Sequence, residues 1–276
     1  MLRRFENGYP SLNMHKTVPK GIASDRPLWI YFGLAFGITW GMGGLALLTG
    51  EIRSGGPSPR VPLYYIAAFG PSIAGVAMAA RDDGTAGVRR MFARLVPSRT
   101  SVPWYIAAIV GFPALNLIAT RLLSPESFAR IPEWDRLLLL LPITLVKDTG
   151  PLGEEFGWRG FALPRMLARQ RPLAAALLLG VIWWAWHLPT FFISTFSQHE
   201  LSIPLFFINV LALSVIMTWL YRQARGDLLL TILVHLAANY CGWIGIPFNI
   251  EVSVEVVCAA LILICGGLRT PPEPGA

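Results

Sequence analysis

The 276-residue sequence predicts an all-α, polytopic transmembrane helical bundle of about eight spans with both termini in the cytoplasm. Three observations carry that prediction. Hydrophobic residues make up 54% of the chain and charged residues only 14%, against roughly 25% charged in a typical soluble domain. Apolar runs long enough to cross a hydrocarbon core about 30 Å thick recur along the whole chain. Lys and Arg alternate in density from one connection to the next. With 16 acids, 23 bases and a mean hydropathy of +0.53, a water-soluble globule, a disordered chain and a disulfide-stapled secreted module are excluded.

The predicted spans cover residues 27–49, 62–80, 103–123, 137–155, 173–193, 202–221, 228–246 and 252–268. In lipid every backbone polar group must be satisfied within its own segment, so these are helices and not strands. Residues 1–26 read as a polar cytoplasmic tail with no cleaved signal peptide. Residues 27–268 form a single transmembrane bundle, and 269–276 form a short tail whose prolines cannot continue a helix. With the N-terminus in the cytoplasm, 17 of the 23 Lys and Arg fall on the cytoplasmic side and five opposite, Lys147 lying inside a span. That asymmetry sets the orientation. It also assigns the net charge of +7 to topology and contact with anionic lipid, so no nucleic-acid partner is expected. Gly33, Gly37 and Gly41 recur every four residues in the first span and read as a helix-packing stripe. Cys241, Cys258 and Cys265 lie in apolar runs and read as small core residues.

A charge at the centre of a bilayer helix costs about 2.5 to 3.5 kcal/mol on insertion scales, so the few polar groups inside the spans need a reason. Glu154 and Glu155 are adjacent near the end of the fourth span. Glu155 and Arg159 are spaced for an ion pair along one helix face, which leaves Glu154 free to point elsewhere; the alternative is a solvated helix end anchored by Trp158. His187 sits among Trp183, Trp184 and Trp186 in the fifth span, with Trp183 one turn before it and able to wall off a pocket. His235 and Asn239 share a face of the seventh span, where a mutual hydrogen bond is the simplest structural account. Lys147 and Asp148, just before Gly150-Pro151, read as a local ion pair at a kink. His15 and His199 lie in polar segments and take no role.

One carboxylate, two imidazoles and a carboxamide in a secluded pocket suit amide hydrolysis. A carboxylate can act as general base towards water. Histidine can orient that water or carry its proton. His235 and Asn239 could stabilise the oxyanion of a tetrahedral intermediate. There is no Gly-x-Ser-x-Gly elbow and no imidazole close in sequence to a cysteine, which disfavours acyl-enzyme chemistry.

Glu154-Glu155-x-x-x-Arg159, Trp183-x-x-x-His187 and His235-x-x-x-Asn239 resemble, in order, the three signature motifs of the CPBP intramembrane proteases. This is the CAAX protease and bacteriocin-processing (Abi) family, which includes the type II CAAX prenyl endopeptidases. The resemblance covers about residues 137–241, with Trp183 standing where phenylalanine is commonest. It implies a helical bundle with a cavity opening to the cytoplasmic leaflet. In it Glu154 would be the water-activating base, His187 its partner, and His235 with Asn239 the oxyanion stabilisers. Glu155 and Arg159 would support them, and Trp183 would line the pocket. The family is also labelled metallopeptidase, and Glu154, His187 and His235 could hold zinc with an open position. Without a His-Glu-x-x-His pair, metal-free glutamate catalysis is the favoured expectation and zinc the alternative.

The function expected is an intramembrane endopeptidase acting on a membrane-anchored peptide or protein in a bacterial cytoplasmic membrane, CAAX-type processing included. The alternative is a non-catalytic protein of the same fold, such as an immunity factor, scaffold or carrier. Depth poses one difficulty. At 1.5 Å per residue, the span boundaries put Glu154 near the membrane edge, His235 about 10 Å in and His187 about 20 Å in. The three meet if the fifth membrane-embedded run starts later than Leu173, which is the expected resolution, or if the fourth helix tilts or extends.

Overall fold

The computed structural model describes residues 26–54, 62–97 and 102–269, and every regular element among them is helical. In chain order these are α1 (Arg26–Leu48), α2 (Pro62–Ala68), α3 (Gly70–Ala93), α4 (Val102–Ile106), α5 (Phe112–Leu123), α6 (Pro125–Phe128) and α7 (Trp134–Lys147). The second half holds α8 (Gly150–Gly157), α9 (Leu163–Leu167), α10 (Pro172–His187), α11 (Ile203–Gln223), α12 (Leu228–Trp243) and α13 (Phe248–Ile264). By length and composition, four helical stretches among the described residues can cross a membrane: Pro27–Leu48, Val102–Leu123, Pro172–Phe192 and Ile203–Gln223. A fifth is gained if α2 and α3, bent by 64°, count as one, and Leu228–Trp243 is a shorter apolar helix. The two tails, residues 1–25 and 270–276, lie outside the described residues.

Prolines punctuate the helices. Most of them carry Pro in the first turn, where the missing N–H would be unpaired in any case. Pro151 also breaks the expected fourth span. Its ring would clash with the carbonyl of Lys147 and it cannot donate to it, so the 137–155 run is two helices with Asp148 extended between them (φ −81°, ψ 109°). The kink carries no Lys147–Asp148 ion pair. Lys147 is exposed, and Asp148 Oδ1 instead accepts the backbone N–H of Gly150 at 3.0 Å.

Two turns of π-helix, Ala107–Gly111 and Trp158–Ala162, each come just before a proline, Pro113 and Pro164. Pro164 leaves the carbonyl of Gly160 without its helical donor. Arg94 supplies one: Nη1 donates to Gly160 O at 2.9 Å, Nη2 to Arg159 O at 3.2 Å, and Nε to Gly226 O at 2.8 Å. With this repair α8, the π turn and α9 form one helical rod from Gly150 to Leu167.

That rod brings the three residues level. Helix α10 begins at Pro172, and the rod runs on past Glu155 to Leu167. Glu154 lies 13 residues before the rod's end and His187 15 residues after the start of α10, about 20 and 22 Å from the same connection. Helix α12 starts level with Gly160, because Leu228 N–H bonds to Arg94 O at 2.9 Å. From there His235 is about 10 Å along α12 and Glu154 about 9 Å along the rod.

Between helices in lipid, association rests on close van der Waals packing. The close approach falls at Gly153 and Gly157, one turn apart on α8. A Cβ on Gly153 would sit 2.6 Å from Ala68 O, and one on Gly75 of α3 would sit 2.8 Å from Gly157 Cα. Gly153 and Gly157 therefore press α8 onto the α2–α3 bend and turn Glu154 and Glu155 away from it. The stripe expected from Gly33, Gly37 and Gly41 has no neighbour within 4 Å; α1 packs through Tyr31, Phe32 and Ala35. Of the cysteines, Cys241 is a core residue as expected, whereas Cys258 is half-buried and Cys265 exposed.

Candidate active site

Glu154 and Glu155 are 4% and 0% exposed and Arg159 is 0% exposed, so this is no solvated helix end. Trp158, read from sequence as an interfacial anchor, is fully buried. Its indole Nε1 donates to Glu154 Oε2 at 3.3 Å, and Trp183 Nε1 donates to the same oxygen at 2.5 Å. Glu154 Oε1 takes no hydrogen bond from the described residues. Two indoles thus hold one carboxylate oxygen and leave the other open.

Glu155 faces a different set of groups. Its Oε1 accepts from Arg159 Nη1 at 2.8 Å and from His235 Nδ1 at 2.9 Å. The Arg159 guanidinium also lies over the Trp183 ring, 4.4 Å from its centroid, a cation–π contact that offsets its two unpaired nitrogens. A carboxylate on Nδ1 fixes the imidazole's orientation and leaves Nε2 for chemistry, the arrangement by which second partners orient working histidines. His187 is fixed by a neutral partner: its Nδ1 lies 2.9 Å from the carbonyl oxygen of Trp183. The Trp186 and Phe206 rings pack edge-on against it at 4.7 and 5.2 Å.

Trp183 is the hub. Its indole holds Glu154, its ring centroid is 5.3 Å from that of His235 and 6.0 Å from that of His187, and Arg159 covers its face. Trp184 packs on Phe207 of the neighbouring α11 and Trp186 on Trp158.

Asn239 completes the group. The expected bond to His235 is not made, because His235 Nδ1 is taken by Glu155, and the Asn239 amide is unbonded among the described residues. Its position is marked by Gly150. A Cβ on that glycine would lie 3.2 Å from Asn239 Nδ2, 3.2 Å from Asp148 Oδ1 and 3.3 Å from Glu154 Oε1. Three helices, α8, α10 and α12, with the α7–α8 break, therefore bring Glu154 and Asn239 together beside Gly150 and set both imidazoles against the Trp183 ring.

No group of three His, Cys, Asp or Glu among the described residues is spaced to hold a metal ion. Glu154, His187 and His235, the zinc set weighed from the sequence, have Trp183 among them, its indole on Glu154 and its ring beside both imidazoles.

Sequence reasoning missed Trp158 as a partner of Glu154, although its spacing of four residues was the available signal. It missed Glu251 and Glu255 altogether. Both are buried on α13, one turn apart, where Glu255 Oε2 accepts from Asn209 Nδ2 at 2.6 Å. A Glu-x-x-x-Glu spacing within an apolar run would have flagged them.

This fold and its buried polar cluster define an integral membrane protein of all-helical build. Residues 134–241 match the family model for type II CAAX prenyl endopeptidase Rce1-like proteins. The chain is also 34% identical over 92 residues to CAAX prenyl protease 2 of Methanococcus maripaludis. That match covers 31% of this chain and spans only 34% of the relative's length. The segment that builds the site is thus similar to the CAAX prenyl proteases, and the chain spans about a third of the length of the curated relative it matches.

Proposed function

We propose that this protein is an intramembrane endopeptidase of the CAAX type. It hydrolyses a peptide bond near the C-terminus of a membrane-anchored, prenylated protein or peptide, at the cytoplasmic side of a bacterial inner membrane. The observation that carries the reading is the division of labour at Glu154: one oxygen is tied by Trp158 and Trp183 while the other faces Asn239 across Gly150. A carboxylate so held is oriented without being neutralised.

In this reading Glu154 Oε1 takes a proton from the attacking water as general base. His187, with Nδ1–H donated to the Trp183 carbonyl, presents Nε2 as an acceptor that orients the same water. His235, in its imidazolium form beside Glu155, presents Nε2–H, and Asn239 presents Nδ2–H. These two donors stabilise the oxyanion that develops on the scissile carbonyl. Arg159 and Glu155 position His235 and do not touch substrate.

The test is cleavage of a farnesylated C-terminal peptide by the purified protein in liposomes, followed by mass spectrometry. Wild type is expected to release the C-terminal fragment, and Glu154→Gln to cut the rate by about 10²- to 10⁴-fold, the usual worth of a general base. Activity is expected to survive strong chelators. Full activity in Glu154→Gln would remove the assigned base, and loss to chelators restored by zinc alone would replace the metal-free form.

A further inference from the structure

One acidic side chain at the site has no part in this mechanism. Asp148 stands in the break between α7 and α8, with its carboxylate fixed by the bond from Gly150 N–H to Oδ1. Its other oxygen, Oδ2, is buried with no hydrogen-bond partner. A buried oxygen left unpaired costs the full desolvation of that atom. Asp148 Oδ1, Glu154 Oε1 and Asn239 Nδ2 all lie within 3.3 Å of where a Cβ on Gly150 would stand, so the three polar atoms gather beside that glycine. Asp148 and Glu154 can only accept hydrogen bonds when ionised. An occupant lying between them must therefore bring donors, and a positively charged nitrogen suits two carboxylates best.

Hydrolysis generates such a group. Water adds its oxygen to the carbonyl carbon and the C–N bond breaks. One proton of the water reaches the departing nitrogen through Glu154, and the proton of the carboxylic acid just formed follows. The products are a carboxylate and a new amino-terminal ammonium, so amide plus water is fully accounted for. We propose that Asp148 binds the nitrogen side of the scissile bond, receiving the amide N–H of the substrate and then the ammonium of the released C-terminal fragment. It exchanges no proton. This assignment rests on the peptidase reading above and adds to it a polar subsite on the leaving-group side.

The test is a binding measurement that needs no turnover. A fluorescently labelled copy of the released fragment with a free amino terminus is titrated against full-length protein in detergent, beside the same fragment N-acetylated. Wild type should prefer the free amine by at least about tenfold, the worth of one charge-assisted hydrogen bond. Asp148→Asn retains an acceptor for Gly150 N–H and should bind both forms equally. Asp148→Ser, which keeps a hydroxyl acceptor and no charge, should do the same and covers the case in which the first variant does not fold. A preference undiminished in both variants, or absent from wild type, overturns the role of Asp148 while leaving cleavage intact. Absence of cleavage by wild type in the liposome assay overturns the peptidase reading itself.

Discussion

Glu154 and Glu155 on α8 and Glu251 and Glu255 on α13 are both acid pairs buried in apolar helices, yet their surroundings differ. The α8 pair is adjacent in sequence, so the helix points its two carboxylates about 100° apart and each meets its own partners. Glu155 is neutralised by Arg159 and shares an oxygen with His235, while Glu154 is held by two indoles and keeps one oxygen open. The α13 pair is four residues apart and shares one face. Its one side-chain donor among the described residues is the Asn209 amide, with no His or Arg bonded to it. Burial alone therefore does not distinguish the two pairs. Glu255 also has one held and one unpaired oxygen, and what sets Glu154 apart is its place beside Asn239 and two indoles, on which the proposed role as base rests.

The largest expected effect that separates the two regions is on folding. Arg159→Leu removes the buried guanidinium from Glu155 and leaves it His235 alone, and is expected to destabilise the protein by about 3 kcal/mol, read as a lower thermal midpoint in detergent. Removing Asn209, a neutral partner on α13, should cost distinctly less in the same melt. Next comes Asn239→Ala, which should slow cleavage by about 10²- to 10³-fold, as loss of an oxyanion donor does, with an unchanged melt. An equal loss of rate and of stability would make Asn239 a packing residue. Trp183→Phe keeps the ring under Arg159 and removes the indole N–H from Glu154; a rate loss of about tenfold is expected, with KM little altered. The smallest effect belongs to Glu255→Gln, expected within about threefold of wild-type cleavage, since an amide preserves a hydrogen-bonding partner for Asn209.

Much of this was readable from residues alone. Composition and apolar run length gave the helical membrane class, and spacings of four residues gave Glu155–Arg159 and Trp183–His187. What was not readable depends on tertiary contact. Pro151 and Pro164 are visible in the sequence, but the consequences, a broken fourth span and a π turn repaired by Arg94, involve a side chain 66 residues from Gly160. The glycine stripe was misplaced because spacing alone does not say which face of α1 meets a neighbour. The His235–Asn239 bond was a sound local guess that lost to a charged partner 80 residues away.

The most direct measurement compares the two acid pairs in one assay: cleavage rates of Glu154→Gln, Glu251→Gln and Glu255→Gln, purified and reconstituted side by side with the same prenylated peptide. The account predicts a fall of about a thousandfold for the first, while the other two stay within a few-fold of wild type. Comparable losses in all three, or a Glu154→Gln protein that still cleaves at the wild-type rate, would contradict it.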